Sequence, residues 1–278
     1  MKQSQLAIAT VTTRQKDLVE ALDAYAQAGF PNVEFVLTLV KDWLREGHSV
    51  EDVLQLLDER HMHCIGGFET TVTCFGTPEE IAANHALHVS NAKLVQQLGG
   101  RVMVVGTDGT NAQNQFSYEA VDTISRSFRH LAEQLEGTDV SLALEFNWSP
   151  CIKSFKSAAL VCEKVAHPQV GILFDPAHYY TTTTKFEHLT PETVRWIRHM
   201  HVDDMQDKPG ELSNCNDDRA LPGQGIVGLP ALIAALERYG YNGYYSIEMF
   251  SEDLWNRPAS EAAQLCYQSM LPLCEDML

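Results

Sequence analysis

Apolar and β-branched residues gather in eight short runs along the chain, each followed by a stretch with helical spacing. The runs are 5–11 (QLAIATV), 33–37 (VEFVL), 63–68 (HCIGGF), 101–106 (RVMVVG), 140–146 (VSLALEF), 170–174 (VGILF), 197–202 (IRHMHV) and 243–249 (GYYSIEM). Runs of this length, bounded by turn residues, predict buried strands. Helical patterns fall near 15–28, 49–60, 78–98, 117–135, 154–167, 190–196 and 229–239, with a last one at 260–276. Several open on a capping residue or a first-turn proline, as in TPEE at 77–80, TPET at 190–193 and GLPAL at 228–232. Others stop at glycine, at Gly29, Gly99 and Gly240.

Alternating strands and helices predict parallel pairing with the helices outside. Eight such units are what closes an α/β (β/α)8 TIM barrel. An open doubly wound sheet is the competing architecture, but no G-x-G-x-x-G follows the first strand. The 278 residues suit one barrel, and no Pro/Gly/Ser-rich linker divides them, so 1–278 is read as a single domain.

Barrels of this kind carry their chemistry at the C-terminal ends of the strands. The fifth strand ends on Glu145, the sixth on Asp175, the seventh on His201 and the eighth on Glu248. Strand residues alternate faces. Glu145 therefore shares a face with Ala143 and Ser141, Asp175 with Leu173 and Gly171, His201 with His199, and Glu248 with Ser246. Bulkier neighbours such as Leu142, Leu144, Ile172, Phe174 and Ile247 take the other face and suit the helix layer. Glu145 to Asp175 is 30 positions and Asp175 to His201 is 26, each close to one β/α unit. The 47 positions from His201 to Glu248 include a long polar loop at 203–225, and long loops at this end of a barrel are commonly functional.

Taken singly, each of the four is an ordinary polar strand end. Taken together, their common level and parity predict that they converge. Three carboxylates and one imidazole at one point repel one another and are costly to desolvate without a cation. An oxygen-rich set with one nitrogen suits Mn2+, Mg2+ or Co2+, and admits Zn2+. Glu34 ends the second strand facing the lumen and is a candidate for substrate binding. His199, one layer below His201, is expected to be packed and hydrogen-bonded. Asp203 and Asp204 are expected to orient His201. His61 and His63, at the opposite end of the barrel, read as structural; Glu69, Thr107 and Asp108, at the ends of the third and fourth strands, read as solvated loop positions, with contact to substrate hydroxyls as the alternative.

Composition narrows the partners. Hydrophobic residues make 45% of the chain and charged residues 21%, an ordinary globular mix. A formal net charge of −17 disfavours nucleic acid. The first fifteen residues lack the apolar core of a signal peptide, and no apolar run approaches the roughly 20 residues of a membrane helix. Seven widely spaced cysteines without a C-x-x-C fit reduced thiols in a cytoplasmic protein. A small neutral ligand fits this charge, no membrane is expected and homo-oligomerisation is left open.

At these residues the chain resembles the xylose-isomerase-like barrel superfamily of sugar (phosphate) isomerases and epimerases. The resemblance rests on AGFPNVEF (28–35), LALEFN (142–147), FDPAH (174–178), HMHVDD (199–204), RALPGQG (219–225) and YYSIEM (244–249), in that order and spacing. It alone implies that the ligand is a small carbohydrate, and it implies one divalent metal held by Glu145, Asp175, His201 and Glu248. It also implies that Glu145 and Glu248 exchange the substrate proton, and that His178 and Arg219 hold substrate oxygens. Ketose 3-epimerases carry a further acidic residue after the fifth strand. Here the segment reads Asn147-Trp148-Ser149-Pro150-Cys151, and Trp148 is the candidate to wall the substrate pocket. The endonuclease branch needs histidines that this chain lacks, with Arg219 standing where one belongs.

The implied activity is isomerisation or epimerisation of a sugar or sugar-derived keto acid, by proton transfer next to a carbonyl through a metal-held enediolate. Dehydration of an inosose or dehydroshikimate type substrate is the alternative, and a non-catalytic sugar-binding barrel the second. Lys208 and Arg257 are the candidate counter-charges should the substrate carry phosphate.

Overall fold

Parallel strands buried on both faces read as continuous apolar runs, and all eight runs form such strands. A computed structural model describes residues 1–108, 117–146 and 151–275. The strands are β1 (Leu6–Ala9), β2 (Asn32–Val36), β3 (His63–Phe68), β4 (Val102–Val105), β5 (Ser141–Glu145), β6 (Val170–Phe174), β7 (Ile197–Val202) and β8 (Tyr245–Ile247). Each pairs in parallel with its sequence neighbours, and β8 returns to β1, closing the barrel. The outermost expected strands are shorter than predicted, because the chain turns into loop or 3-10 structure at their ends.

The helices are α1 (Leu18–Ala28), α2 (Leu37–Arg45), α3 (Val50–Glu59), α4 (Pro78–Gln97), α5 (Tyr118–Gln134), α6 (Phe155–Val165), α7 (Pro176–Thr181), α8 (Pro191–Val194), α9 (Leu229–Arg238), α10 (Glu252–Trp255) and α11 (Ala259–Met270). Three of them, α2, α7 and α10, lie where no helix is predicted. The cause at α2 is local. It starts immediately after β2, whose last residue Val36 is its N-cap and makes no side-chain cap, so no start signal precedes it. Capping boxes do open α3 (Ser49 with Asp52) and α4 (Thr77 with Glu80).

Two separate apolar layers result. Inside the barrel Val104, Ala143 and Leu173 pack with Phe68 and Val102. Outside, the alternate strand residues, among them Leu142, Leu144, Ile172, Phe174 and Ile247, pack against the helices. The predicted side-chain parity of β5, β6 and β8 is therefore the observed one. Among the described residues no helix is long and apolar enough to cross a membrane, and the seven cysteines form no disulfide.

Candidate metal centre

The apolar lumen ends upward in charge. Glu145 closes β5, Asp175 follows β6, His201 lies one residue from the end of β7, and Glu248 follows β8. Glu145 and Asp175 are 0% exposed, His201 1% and Glu248 7%. One candidate ligand atom from each lies within 4.8 Å of all the others. The Nδ1 of His201 is 3.2 Å from Glu248 Oε2, 3.6 Å from Asp175 Oδ2 and 3.7 Å from Glu145 Oε1. Both Glu145 oxygens and His201 Nδ1 are buried without a hydrogen bond among the described residues. Leaving buried acceptors unsatisfied is costly. Together with an oxygen-rich, thiolate-free donor set, these orphaned atoms fit a divalent cation.

Arg219 supplies the fixed positive charge. It sits on a two-residue antiparallel ladder, in which Asp204–Met205 pairs with Arg219–Ala220 within the long loop. Its Nη1 lies 2.5 Å from Asp203 Oδ2 and 3.1 Å from Glu248 Oε2, and its Nη2 lies 3.1 Å from Asp175 Oδ2. It also donates to the carbonyls of Glu248 (2.7 Å) and Cys215 (2.8 Å). This planar fork with several donors is the geometry arginine offers and lysine does not.

The surroundings push the carboxyls in different directions. Burial alone would raise Asp175, but Arg219, His178 and His201 outweigh it and hold the acid well below the usual carboxylate range. Burial likewise opposes ionisation of Glu248, and His201 and Arg219 bring it down. At Glu145 burial wins over His178, and the acid lies above its ordinary value. Burial disfavours a charged His201, yet Glu248 and Glu34 hold its pKa well above the ordinary value.

His178 stands on the first turn of α7. Asp175 Oδ1 accepts from the His178 amide (2.9 Å) and so caps that helix. The His178 Nε2 lies 3.4 Å from Glu145 Oε1. Above the charged cluster opens a cavity of about 450 Å³, with Glu34, His178, Arg219 and Glu248 on its polar side and Phe68 and Phe250 on its apolar side. That volume suits a small ligand.

The family described as the xylose isomerase-like TIM barrel matches residues 22–269. The chain belongs to that family. An inosose isomerase of Bacillus velezensis is 32% identical over 134 residues, 47% of either chain. An inosose dehydratase of Geobacillus thermodenitrificans is 20% identical over 173 residues, 55% of this chain and 58% of that one. The chain thus spans about half the length of the curated relatives it matches. A crystal structure described as IolI protein with a bound zinc atom superposes with a TM-score of 0.86 at 21% identity, covering 99% of both chains.

Not every expected residue of this xylose isomerase-like barrel lies where the sequence places it. Asp203 and Asp204 do not orient His201. Asp203 accepts the Ala177 amide (2.9 Å) and pairs with Arg219, while Asp204 accepts the amides of Met205, Gly223 and Val227 and holds the long loop. Glu34 instead reaches His201, with its oxygens 3.3 and 3.4 Å from Nε2, and it also accepts from His199 at 2.9 Å. His199 is buried and hydrogen-bonded as expected. Lys208 pairs with Asp218 (2.7 Å), and Arg257 pairs with Asp253 and Glu261, so neither lines the cavity.

Thr107 is buried, not solvated, because the chain beyond β4 bridges to Val72. Asp108 accepts the amides of Cys74 and Phe75, and Glu69 meets Lys41 and Asn91. Trp148 lies outside the described residues. Sequence reasoning gives no cavity role to Cys215 and Asn216, which line it from the long loop. Nothing in their local sequence marks them, since only the ladder that carries Arg219 brings them there.

Proposed function

We propose that the protein is a divalent-metal-dependent isomerase or epimerase of a sugar or sugar-derived keto acid, acting by proton transfer next to a carbonyl. The observation that carries this reading is the convergence of Glu145, Asp175, His201 and Glu248 under a cavity of about 450 Å³ that Glu248 itself lines. Those four residues would hold the ion. A bound divalent cation supplies Lewis-acid polarisation of the carbonyl, which acidifies the neighbouring C–H. Glu248, at the cavity surface, takes that proton and leaves an enediolate. Glu145, deeper and beside His178, returns a proton to the neighbouring carbon or to the opposite face. His178 and Arg219 donate to the oxygen that gains charge. The phenyl groups of Phe68 and Phe250 keep water from that side of the cavity.

Similarity to an inosose isomerase supports a polyhydroxy ketone as substrate, and the zinc of the similar crystal structure supports a divalent ion. The donor set favours Mn2+, Mg2+ or Co2+ and accepts Zn2+, so all four belong in the assay. Similarity to an inosose dehydratase keeps dehydration as a second reading: the same proton is removed, and a β-hydroxyl then leaves as water with a proton from the enzyme.

The test is solvent exchange. The metal-loaded protein is incubated with inososes and ketoses in D2O, and C–H signals are followed by NMR. Deuterium in an isomeric or epimeric product is the expected result, and deuterium with loss of water selects the dehydratase. No exchange with any of the four ions sinks both readings and leaves a sugar-binding barrel. Glu248→Gln should lower kcat by about 10²–10⁴-fold, the usual weight of a general base.

A further inference from the structure

Glu34 lies on the opposite side of the His201 imidazole from the four-residue centre. It comes from β2 at a register shift between Val33 and Glu34, an irregularity of the kind that re-aims a side chain. The strand beside it carries Gly66, where a Cβ would collide with the Val102 carbonyl, so the tight local packing depends on glycine. Glu34 is 3% exposed, and its carboxylate meets two imidazoles and no cation of lysine or arginine among the described residues. His199 Nε2 is 2.9 Å from Oε2, and His201 Nε2 is 3.3 Å from the same oxygen. The two rings stand edge to face, 5.4 Å apart and at 82°.

An ionised carboxylate only accepts hydrogen bonds. Both imidazoles must therefore present N–H at Nε2. In His201 this leaves Nδ1, the atom that faces Glu145, Asp175 and Glu248 and has no hydrogen bond among the described residues.

We propose that Glu34, steadied by His199, is a positioning residue: it fixes His201 with a proton on Nε2 and so commits Nδ1 to the metal. The inference rests on the metal-centre reading above and deepens it. It assigns Glu34 to the ion through His201, although Glu34 also borders the cavity and was a substrate-binding candidate on sequence grounds. His199 holds the second Glu34 lone pair so that the carboxylate cannot rotate away. The arrangement reaches across the barrel from β2 to β7, and its partners are 165 and 167 positions apart in sequence.

The full-length metal-free protein provides the test, by Zn2+ titration against a competing chelator, with Glu34→Gln and His199→Gln compared with wild type. Glu34→Gln should weaken Zn2+ binding by about 10–100-fold, the usual cost of losing such a partner. His199→Gln, whose amide still donates to Glu34, should cost less than Glu34→Gln. In ¹⁵N-histidine-labelled wild type loaded with ¹¹³Cd²⁺, the metal should couple to His201 Nδ1 while Nε2 keeps its proton.

Coupling through Nε2 overturns the proposal, and this reading survives even if Glu34→Gln fails to fold. Unchanged Zn2+ affinity in Glu34→Gln with a raised KM for substrate also overturns it and returns Glu34 to substrate binding. If wild type takes up no Zn2+ or Cd2+ at all, the metal-centre reading itself falls, a result distinct from either of these.

Discussion

Arg219 is the one permanently charged cation among the described cavity residues, and three buried carboxylates lean on it. Removing one partner from a buried charge network is expensive, because the remaining charges are left without compensation. Arg219→Met should cost about 3–5 kcal/mol of stability in urea unfolding. Added divalent ion should restore part of the loss, since at the proposed centre it would supply charge to Asp175 and Glu248 directly. Arg219→Lys should fall between the two, as one ammonium cannot serve three carboxylates from a planar fork. In the sequence only the family resemblance marks this residue. Glu145, Asp175, His201 and Glu248 are different. None stands out alone, but their common level and face at four successive strand ends make them legible together. The partnership of Glu34 with His199 and His201 is not legible, because it depends on which strands face one another across the lumen.

At the scale of elements, the barrel itself is readable from period and spacing, whereas the connections are not. The ladder that carries Arg219 is two residues per strand, too short to leave a periodic trace. It is locked by Asp204, which gathers three amides of the loop, and by Gly225. A Cβ at Gly225 would collide with the Met205 carbonyl and the Asp204 carboxylate. Gly225→Ala should therefore open the ladder, costing about 1–3 kcal/mol of stability. It should also lower kcat/KM by displacing Arg219, with the strands of the barrel unchanged by circular dichroism. The unexpected α2 follows the same logic as the ladder. Where an element begins directly on its predecessor, no turn chemistry announces it, and only the closed fold shows its place.

For the molecule as a whole, acid stability should be shaped by a histidine that no part of the proposed chemistry uses. His85 on α4 is buried, and burial, with His130 and His88 nearby, pushes its pKa down to about 4. The unfolded chain binds this proton near pH 6.5, so between about 6.5 and 4 the unfolded state carries more protons than the folded one. Stability is thus unaffected by His85 above pH 6.5 and falls as pH drops through that window, by an amount on the order of 1–3 kcal/mol. Chemical denaturation of His85→Gln at pH 7 and pH 4.5 should show a shallower decline than wild type. An equal decline in both would assign the acid sensitivity to other groups.

Asp175 links the proposed metal centre to the cavity. One of its oxygens faces the centre, and the other caps α7 at the His178 amide. Whatever draws the carboxylate towards a cation also draws the first turn of α7, and with it the imidazole that borders the cavity. The two binding events then share a mechanical coordinate and acquire an order. Ion occupancy should slow amide exchange at Ala177–Thr181 before any sugar is present, and initial-rate kinetics should show the ion binding first and the substrate second.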